Sequence, residues 1–231
     1  MKILVLLFSI LAFPLKEVVN VQLLIPTQQH DIFVNYSNDN FSQVISPYDS
    51  PKITAYIKNA NYFSLDLDFR ISPQETFISS LTPKLRGNIL SLLEDCYTFK
   101  NYFTKVSLYL QKNITYTEHP ITQDAESIIV AKRTDCVGFA NLVQVYLDAI
   151  GVKNRPVKGF YLKNSKSSGD LLIPIPHRWL EIILPDGKKF FFDPQRQQFS
   201  TDYIAIKDSV DFKEVKKFKI KLVKRSKKVV N

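Results

Sequence analysis

The sequence predicts an α+β fold, on three observations. From residue 22 to residue 80, segments such as 31–37 and 52–58 alternate apolar and polar side chains, as half-buried strands do. From Pro83 to Ile150, apolar residues recur at helical spacing. Beyond residue 154 a strand-like composition returns, and a Pro-Asp-Gly-Lys turn separates the two arms of a predicted hairpin. We therefore expect helices packed on an antiparallel sheet.

The chain has 231 residues, of which 45% are hydrophobic and 13% aromatic, enough for one substantial core or for a core with a small satellite domain. We expect residues 21–80 to form a small β-rich N-terminal portion and residues 81–206 to form the domain that carries the chemistry. Residues 163–176 are predicted as a flexible loop within that domain, and residues 207–231 as a basic C-terminal strand or tail.

Residues 1–20 have features of a signal peptide or an N-terminal anchor. Met1 and Lys2 precede an apolar run, residues 3–15, that has secretory length and is short for a membrane span. No clean pair of small residues follows the run, so a buried N-terminal strand or helix is the alternative. The segment predicts an extracytoplasmic location, secreted or periplasmic, with anchoring if it stays uncleaved.

Only two cysteines occur, Cys96 and Cys136, which is too few for a disulfide framework. Cys96 falls on the apolar face of a predicted helix, where it is expected to be a core side chain. Cys136 falls at the opening turn of a helix that Gly151 is predicted to end. The three histidines are scattered and no Cys-x-x-Cys spacing occurs, so we expect no metal site.

The position of Cys136 favours thiol chemistry. A thiol attacks as the thiolate, and the N–H groups at a helix start favour that form and can hold an oxyanion. A thiolate also needs an imidazole partner, and the imidazole needs an acceptor that orients it. His177 opens one strand of the predicted hairpin and Asp193 closes the other, so antiparallel pairing brings these ends together. A slip of one residue would put the two side chains on opposite faces.

The segments around these residues resemble the transglutaminase-like superfamily. That family shows a Cys followed four residues later by a small residue, a helix ending in Gly, an Arg-x-Val-x-Gly strand, a His-x-Trp-x-Glu strand and an Asp-Pro turn. The matching residues are Cys136 and Ala140, Gly151, Arg155, Val157 and Gly159, His177, Trp179 and Glu181, and Asp193 with Pro194. These linked elements occur in the right order over about half of the chain, which makes the resemblance specific.

The resemblance implies a papain-like fold with Cys136 as nucleophile, His177 as general base and acid, and Asp193 as the residue that orients the imidazole. Trp179 and Glu181 are expected on the polar side of the hairpin, where they would support His177. Plain cross-strand packing is the alternative for both residues.

Two departures from the family pattern occur, and the oxyanion donor is not obvious. Asp135 stands where a glycine often precedes the nucleophile, and Gln195 follows Asp-Pro where the family commonly has Thr. Neither change removes a catalytic atom. Tyr116 is a candidate oxyanion donor upstream of Cys136, with a core aromatic residue as the alternative.

The implied activity is acyl transfer through a thioester, without a metal or organic cofactor. Nothing in the sequence marks a lysine-binding acceptor site, so hydrolysis of an amide in a protein, peptide or cell-wall peptide is favoured. Two alternatives remain: a protein-crosslinking acyl transferase, and a non-catalytic binding or assembly domain of the same fold.

The net charge of +9 is concentrated at the C-terminus, because residues 207–231 carry +7 of it. Alternation of Lys with Phe218, Ile220 and Leu222 is typical of an edge strand that lysines protect from pairing. An anionic polymer or a membrane surface is the alternative partner for these lysines. The rest of the chain carries only +2, so specific nucleic-acid binding is not expected.

Overall fold

The structure is a computed structural model that describes residues 15–24, 31–45, 52–59, 66–120, 122–164, 169–197, 202–215 and 218–229. The chain forms two compact units. The sheet unit comprises residues 1–65, 158–177 and 199–231, and the helical unit comprises residues 66–157 and 178–198. Residues 1–14, most of the predicted signal segment, lie outside the described residues.

The described residues form both strands and helices, which confirms the predicted α+β class with an antiparallel sheet. The strands are β1 (Leu15–Leu24), β2 (Tyr36–Ser37), β3 (Phe41–Ile45), β4 (Lys52–Asn59), β5 (Thr115–Tyr116), β6 (Arg133–Thr134), β7 (Asn154–Asn164), β8 (Leu171–Ile183), β9 (Lys189–Phe192), β10 (Tyr203–Ala205) and β11 (Lys219–Val229). The α-helices are α1 (Glu75–Ser80), α2 (Pro83–Leu93), α3 (Phe99–Asn113), α4 (Ala125–Ala131) and α5 (Cys136–Asp148). Within these residues, no helix combines the length and hydrophobicity that a membrane span requires.

Strands from both ends of the chain build the sheet unit, in the order β10-β7-β8-β11-β1-β4-β3-β2. β1 lies between β11 and β4 and pairs antiparallel with both. Val19, Val21 and Leu23 on β1 are fully buried, since alternate residues of a strand face the same side. The predicted boundary at residue 20 therefore falls inside a central strand. The predicted N-terminal portion likewise shares its unit with the C-terminal strand.

The prediction that the basic C-terminal segment is an edge strand is wrong. β11 pairs with β1 along its length and with β8 through Ile220 and Lys221. Ile220 is fully buried, whereas Lys219 and Lys221 are exposed, so the alternation in the sequence reflects one buried and one solvated face. The error arose because a strand with one polar face has the same sequence pattern at an edge and inside an antiparallel sheet.

The predicted flexible loop over residues 163–176 is also shorter than expected. β8 begins at Leu171, and Leu172 pairs with Ile220 and is buried. The prolines at 174 and 176 suggested a loop, because proline cannot donate to a strand ladder. Here both prolines lie within β8.

In the helical unit, α5 is the central helix. Its buried residues include Phe139, Leu142 and Leu147. Tyr102 of α3 donates a hydrogen bond from its hydroxyl to the carbonyl of Tyr146, at 3.0 Å. α5 ends as predicted: Gly151 has φ of +69°, and the N–H of residue 152 donates to the carbonyl of Leu147.

The hairpin of β8 and β9 has a defined register, in which Leu180 pairs with Phe192 and Ile183 with Lys189. The N–H of Gly187 donates to the carbonyl of Leu184, and Gly187 takes φ of +84°. A type I turn followed by a residue with positive φ is a common way to close a short hairpin loop, and glycine adopts that φ without strain. The Pro-Asp-Gly turn thus fixes which residues face each other.

The first turn of α5 packs closely against β6 and α4, and Gly138 makes this possible. A Cβ at position 138 would lie 1.8 Å from Oγ1 of Thr134 and 2.9 Å from Cδ1 of Ile128. Thr134 and Ile128 are both fully buried, so neither has room to withdraw. Gly138 therefore sets how near α5 approaches its neighbours.

Replacing Gly138 with alanine should destabilise the protein by roughly 1–3 kcal/mol, as overpacking of a filled core does. Gly87→Ala is the matched control, because it lies inside α2 and a Cβ there would meet nothing within 4 Å. Helix propensity should make Gly87→Ala stabilising by about 0.5–1 kcal/mol. The urea midpoints of both variants measure the difference, and an unchanged midpoint for Gly138→Ala would contradict the packing argument.

Candidate active site

Cys136 is the first residue of α5, and Asp135 caps that helix. Oδ1 of Asp135 accepts a hydrogen bond from the N–H of Gly138 at 3.0 Å, which satisfies one of the free amides of the first turn. Cys136 is partly buried and forms no disulfide, whereas Cys96 is buried. Of the two thiols, the one at the helix start is thus the more accessible, as the sequence predicted.

A second layer of hydrogen bonds holds the cap in place. Nε2 of Gln123 donates to Oδ2 of Asp135 at 2.6 Å, and Nδ2 of Asn141 donates to the main-chain carbonyl of Gln123 at 3.0 Å. Both carboxylate oxygens of Asp135 are therefore engaged. This gives a physical reason for an aspartate where the family pattern often has glycine, and the sequence signal was an acidic residue directly before a predicted helix.

Tyr116 lies beside this helix start. β5 pairs in parallel with β6, which places Tyr116 opposite Thr134, two residues before Cys136. Partial burial raises the pKa of Tyr116, and the charges that Cys136, Glu118 and Asp135 carry when ionised raise it further, while Arg196 lowers it. The phenol therefore keeps its proton at neutral pH and is a potential hydrogen-bond donor. With 44% of its surface exposed, Tyr116 is not the core aromatic residue of the alternative interpretation.

Asp193 follows β9 and is 1% exposed. Its Oδ1 accepts hydrogen bonds from the main-chain N–H groups of Gln195 at 3.0 Å and Arg196 at 3.2 Å. The Nε atom of Arg196 lies 3.8 Å from Oδ2. Because residue 195 contributes its main-chain N–H, glutamine there serves this turn as well as threonine would.

The sequence suggested that Trp179 and Glu181 lie on a polar side of the hairpin. In the structure both side chains are buried. Trp179 packs against Phe191 in an edge-to-face contact with ring centroids 5.7 Å apart. Glu181 accepts a hydrogen bond from Nε of Arg155 at 2.7 Å. Arg155 and Glu181 were both part of the sequence pattern, and the ion pair explains why they occur together.

The predicted site residues divide between the two units. Cys136, Asp193 and Tyr116 lie in the helical unit. His177 lies in the part of β8 that belongs to the sheet unit, and it is inside the strand rather than at its start as the sequence predicted, because β8 begins at Leu171. The imidazole of His177 is 4% exposed and lies among tyrosine rings. Sequence reasoning did not identify those tyrosines.

Removal of the Asp135 carboxylate should lower the stability of the protein. Asp135→Ala deletes the acceptor for the Gly138 amide and should cost about 1 kcal/mol, whereas Asp135→Asn keeps an oxygen acceptor and should cost less. Asp124→Ala is a matched control that removes the cap of α4, where Oδ1 accepts from the N–H of Ser127 at 2.9 Å. Urea unfolding measures all three, and equal stability of Asp135→Ala and the wild type would refute the capping role.

Comparison with known proteins confirms the resemblance found in the sequence. The model of the transglutaminase-like superfamily matches residues 93–194. This segment contains Cys136, His177 and Asp193, together with most of the helical unit. The superfamily resemblance is therefore established for this part of the chain.

Solved structures that match the chain were found at low sequence identity. A candidate cysteine protease from Cytophaga hutchinsonii is 10% identical, with a TM-score of 0.49 over 94% of this chain and 89% of that one. The periplasmic domain of TgpA from Pseudomonas aeruginosa is 14% identical, with a TM-score of 0.42 over 80% of this chain and 88% of that one. No curated protein matches the chain.

Proposed function

We propose that this chain is a cysteine-dependent amide hydrolase that works through a thioester. One observation carries the proposal: Cys136, whose thiol is partly accessible, is the first residue of a capped helix. That helix lies inside the segment that matches the transglutaminase-like superfamily. In this proposal Cys136 is the nucleophile, His177 the general base and acid, and Asp193 the carboxylate that orients the imidazole.

The reaction has two balanced steps. The Cys136 thiolate attacks the amide carbonyl carbon, the C–N bond breaks, and the amine leaves with a proton from the His177 imidazolium. Water then attacks the thioester carbonyl and gives a proton to His177. The C–S bond breaks, the carboxylic acid is released, and the thiolate is restored. No cofactor is needed in either step.

Helix α5 supports the first step. Its N-terminal amides carry a partial positive charge, which favours a thiolate and an oxyanion at that end. We propose the Tyr116 hydroxyl as an additional oxyanion donor, because the phenol is protonated at neutral pH and is influenced by the charge on Cys136.

The hairpin supports the assignment of the other two residues. The ladder of β8 and β9 ends at the pair of Leu180 and Phe192, and Asp193 directly follows β9. His177 and Trp179 both lie on β8, and residues two apart in a regular strand share a face. The two hydrogen bonds from main-chain amides hold the Asp193 carboxylate, and we propose that it accepts a further one from the imidazole.

We propose a protein, peptide or cell-wall peptide as the substrate and an extracytoplasmic location, secreted or periplasmic. Water is the proposed acceptor, because no feature of the described residues singles out a lysine-binding site. Amine acceptors would instead give a protein-crosslinking acyl transferase. A fold that binds or assembles without chemistry is the remaining alternative.

Intact-mass measurement after incubation with a library of peptides and cell-wall fragments should detect an acyl adduct on the wild-type chain and none on Cys136→Ala. Cys96→Ala is the control, because Cys96 is the buried second thiol and its loss should leave the adduct in place. His177→Ala should slow adduct formation by about a thousandfold or more, as removal of a triad member does in related mechanisms. An adduct on Cys136→Ala would contradict the assignment of Cys136 as the nucleophile.

The product of the same reaction identifies whether water or an amine accepts the acyl group. With water as acceptor the adduct decays to a free acid, and added lysine methyl ester leaves the product unchanged. A product that gains the mass of the amine would support the transferase instead. Failure to form any adduct, together with slow alkylation of Cys136, would favour the binding domain.

A second proposal concerns the exposed lysines of β11, which we propose contact an anionic polymer or membrane surface. Lys219, Lys221 and Lys224 are all exposed, and residues 207–231 hold most of the net charge. Because β11 pairs with β1 and β8, deleting it would disturb the sheet, so substitution is the sounder test.

The triple substitution of these lysines by glutamine should weaken binding to heparin beads or to vesicles rich in anionic lipid, with the largest loss at low salt. Glutamine at Lys84, Lys100 and Lys112, which are exposed on the helical unit, removes the same charge elsewhere and is the control. The bead and vesicle arms separate polymer from membrane binding. Equal effects of the two triple variants would rule out a role specific to β11.

A further inference from the structure

His177 is packed among aromatic rings within the sheet unit. Its imidazole is nearly parallel to the ring of Tyr203, with centroids 5.8 Å apart and an angle of 23° between the planes. Tyr161 approaches from a second side, with a centroid distance of 6.4 Å and an angle of 62°. These distances and angles are those of an offset stack and an edge-to-face contact.

The two tyrosines are a cross-strand pair. Tyr203 on β10 is directly opposite Tyr161 on β7, and their ring centroids are 5.7 Å apart. Tyr203 is 2% exposed, whereas Tyr161 is partly exposed. Directly opposed residues of an antiparallel pair point to the same face, so the register of two strands fixes both rings.

This pair is separate from the main phenylalanine cluster of the unit. Phe160 and Leu162, the neighbours of Tyr161 on β7, are buried, and strand alternation turns them to the other face. Phe160 there packs edge-to-face against Phe212 and Phe218, at 5.5 and 5.0 Å. The tyrosine pair thus packs with the imidazole on the face away from that cluster.

We propose that Tyr203 and Tyr161 are positioning residues for His177, an inference that rests on the proposed function. The χ2 torsion of histidine is soft, so an imidazole held only by its own side chain samples a broad range of orientations. The Tyr203 ring fixes the imidazole plane, and the Tyr161 edge limits its rotation. The face of the Tyr203 ring also favours the imidazolium that forms when the thiol ionises.

The sequence pattern of the family does not account for Tyr203. It lies on β10, outside residues 93–194 that match the superfamily, and it reaches the imidazole through the pairing of β10 with β7. The contact therefore gives the sheet unit a defined part in the reaction.

Alkylation of Cys136 tests the inference, followed by peptide mass so that Cys96 is scored separately. Iodoacetate and iodoacetamide are used in parallel. The ratio of the iodoacetate rate to the iodoacetamide rate reports a positive charge near the sulfur, because only iodoacetate is an anion. Tyr203→Leu removes the stack and should lower both the Cys136 rate and this ratio by about tenfold. Misplacement of a catalytic group by around an ångström costs up to a hundredfold.

Tyr203→Phe is the conservative variant and should keep the wild-type rate and ratio, since the ring remains and only the hydroxyl is lost. Phe190→Leu, at a buried aromatic ring of the helical unit, is the control for a general loss of stability. Tyr161→Leu, at the partly exposed ring, supplies a second measurement if Tyr203→Leu does not fold. It should lower the ratio by a smaller factor.

The outcomes separate the inference from the proposed function. His177→Ala is the reference, and if it leaves alkylation of Cys136 unchanged, the proposed function itself fails. If His177→Ala lowers the ratio while Tyr203→Leu and Tyr161→Leu do not, the positioning role is wrong and the proposed function stands. A loss in Tyr203→Phe equal to that in Tyr203→Leu would also overturn the inference, because the hydroxyl would then matter rather than the stack.

Discussion

The contact between Gly138 and Thr134 brings the first turn of α5 against β6, and much of the site depends on it. A side chain at Gly138 would collide with Thr134, so the absence of one lets the helix begin directly beside a buried strand. Asp135 occupies the turn between the two elements and closes the helix end with its carboxylate. Cys136 directly follows Asp135 as the first residue of the helix. The same strand pairing that holds Thr134 also brings Tyr116 alongside.

Several features of the fold were predictable because they depend on local patterns. The period of apolar residues gave α2, α3 and α5, and the glycine after α5 adopts the left-handed conformation that ends a helix. The turn chemistry of residues 185–187 gave the hairpin. The motifs around Cys136, His177 and Asp193 gave the family resemblance. Cys136 begins α5 and Asp193 directly follows β9, whereas His177 lies inside β8.

Other features were not predictable, because they depend on pairing between distant segments. The lysine alternation in β11 shows that one face is solvated, but only the neighbours β1 and β8 show that the strand is internal. The stack of Tyr203 on His177 requires β10 to pair with β7, and neither strand carries a sequence signal for that register. The Glu181–Arg155 ion pair was hidden for the same reason, since a buried charge resembles a surface charge in sequence.

The pairing of β1 with β11 has a consequence for how the protein is made. Val21 pairs with Leu222, so β1 waits for a partner strand that is synthesised much later. Contacts of such long range slow folding, because loop closure must precede any gain from pairing. Meanwhile the fully buried valines of β1 lack their later partner on the nascent chain. Most of the helical unit, residues 66–157, is synthesised in this interval and has its own internal packing, so the order of synthesis favours its formation first.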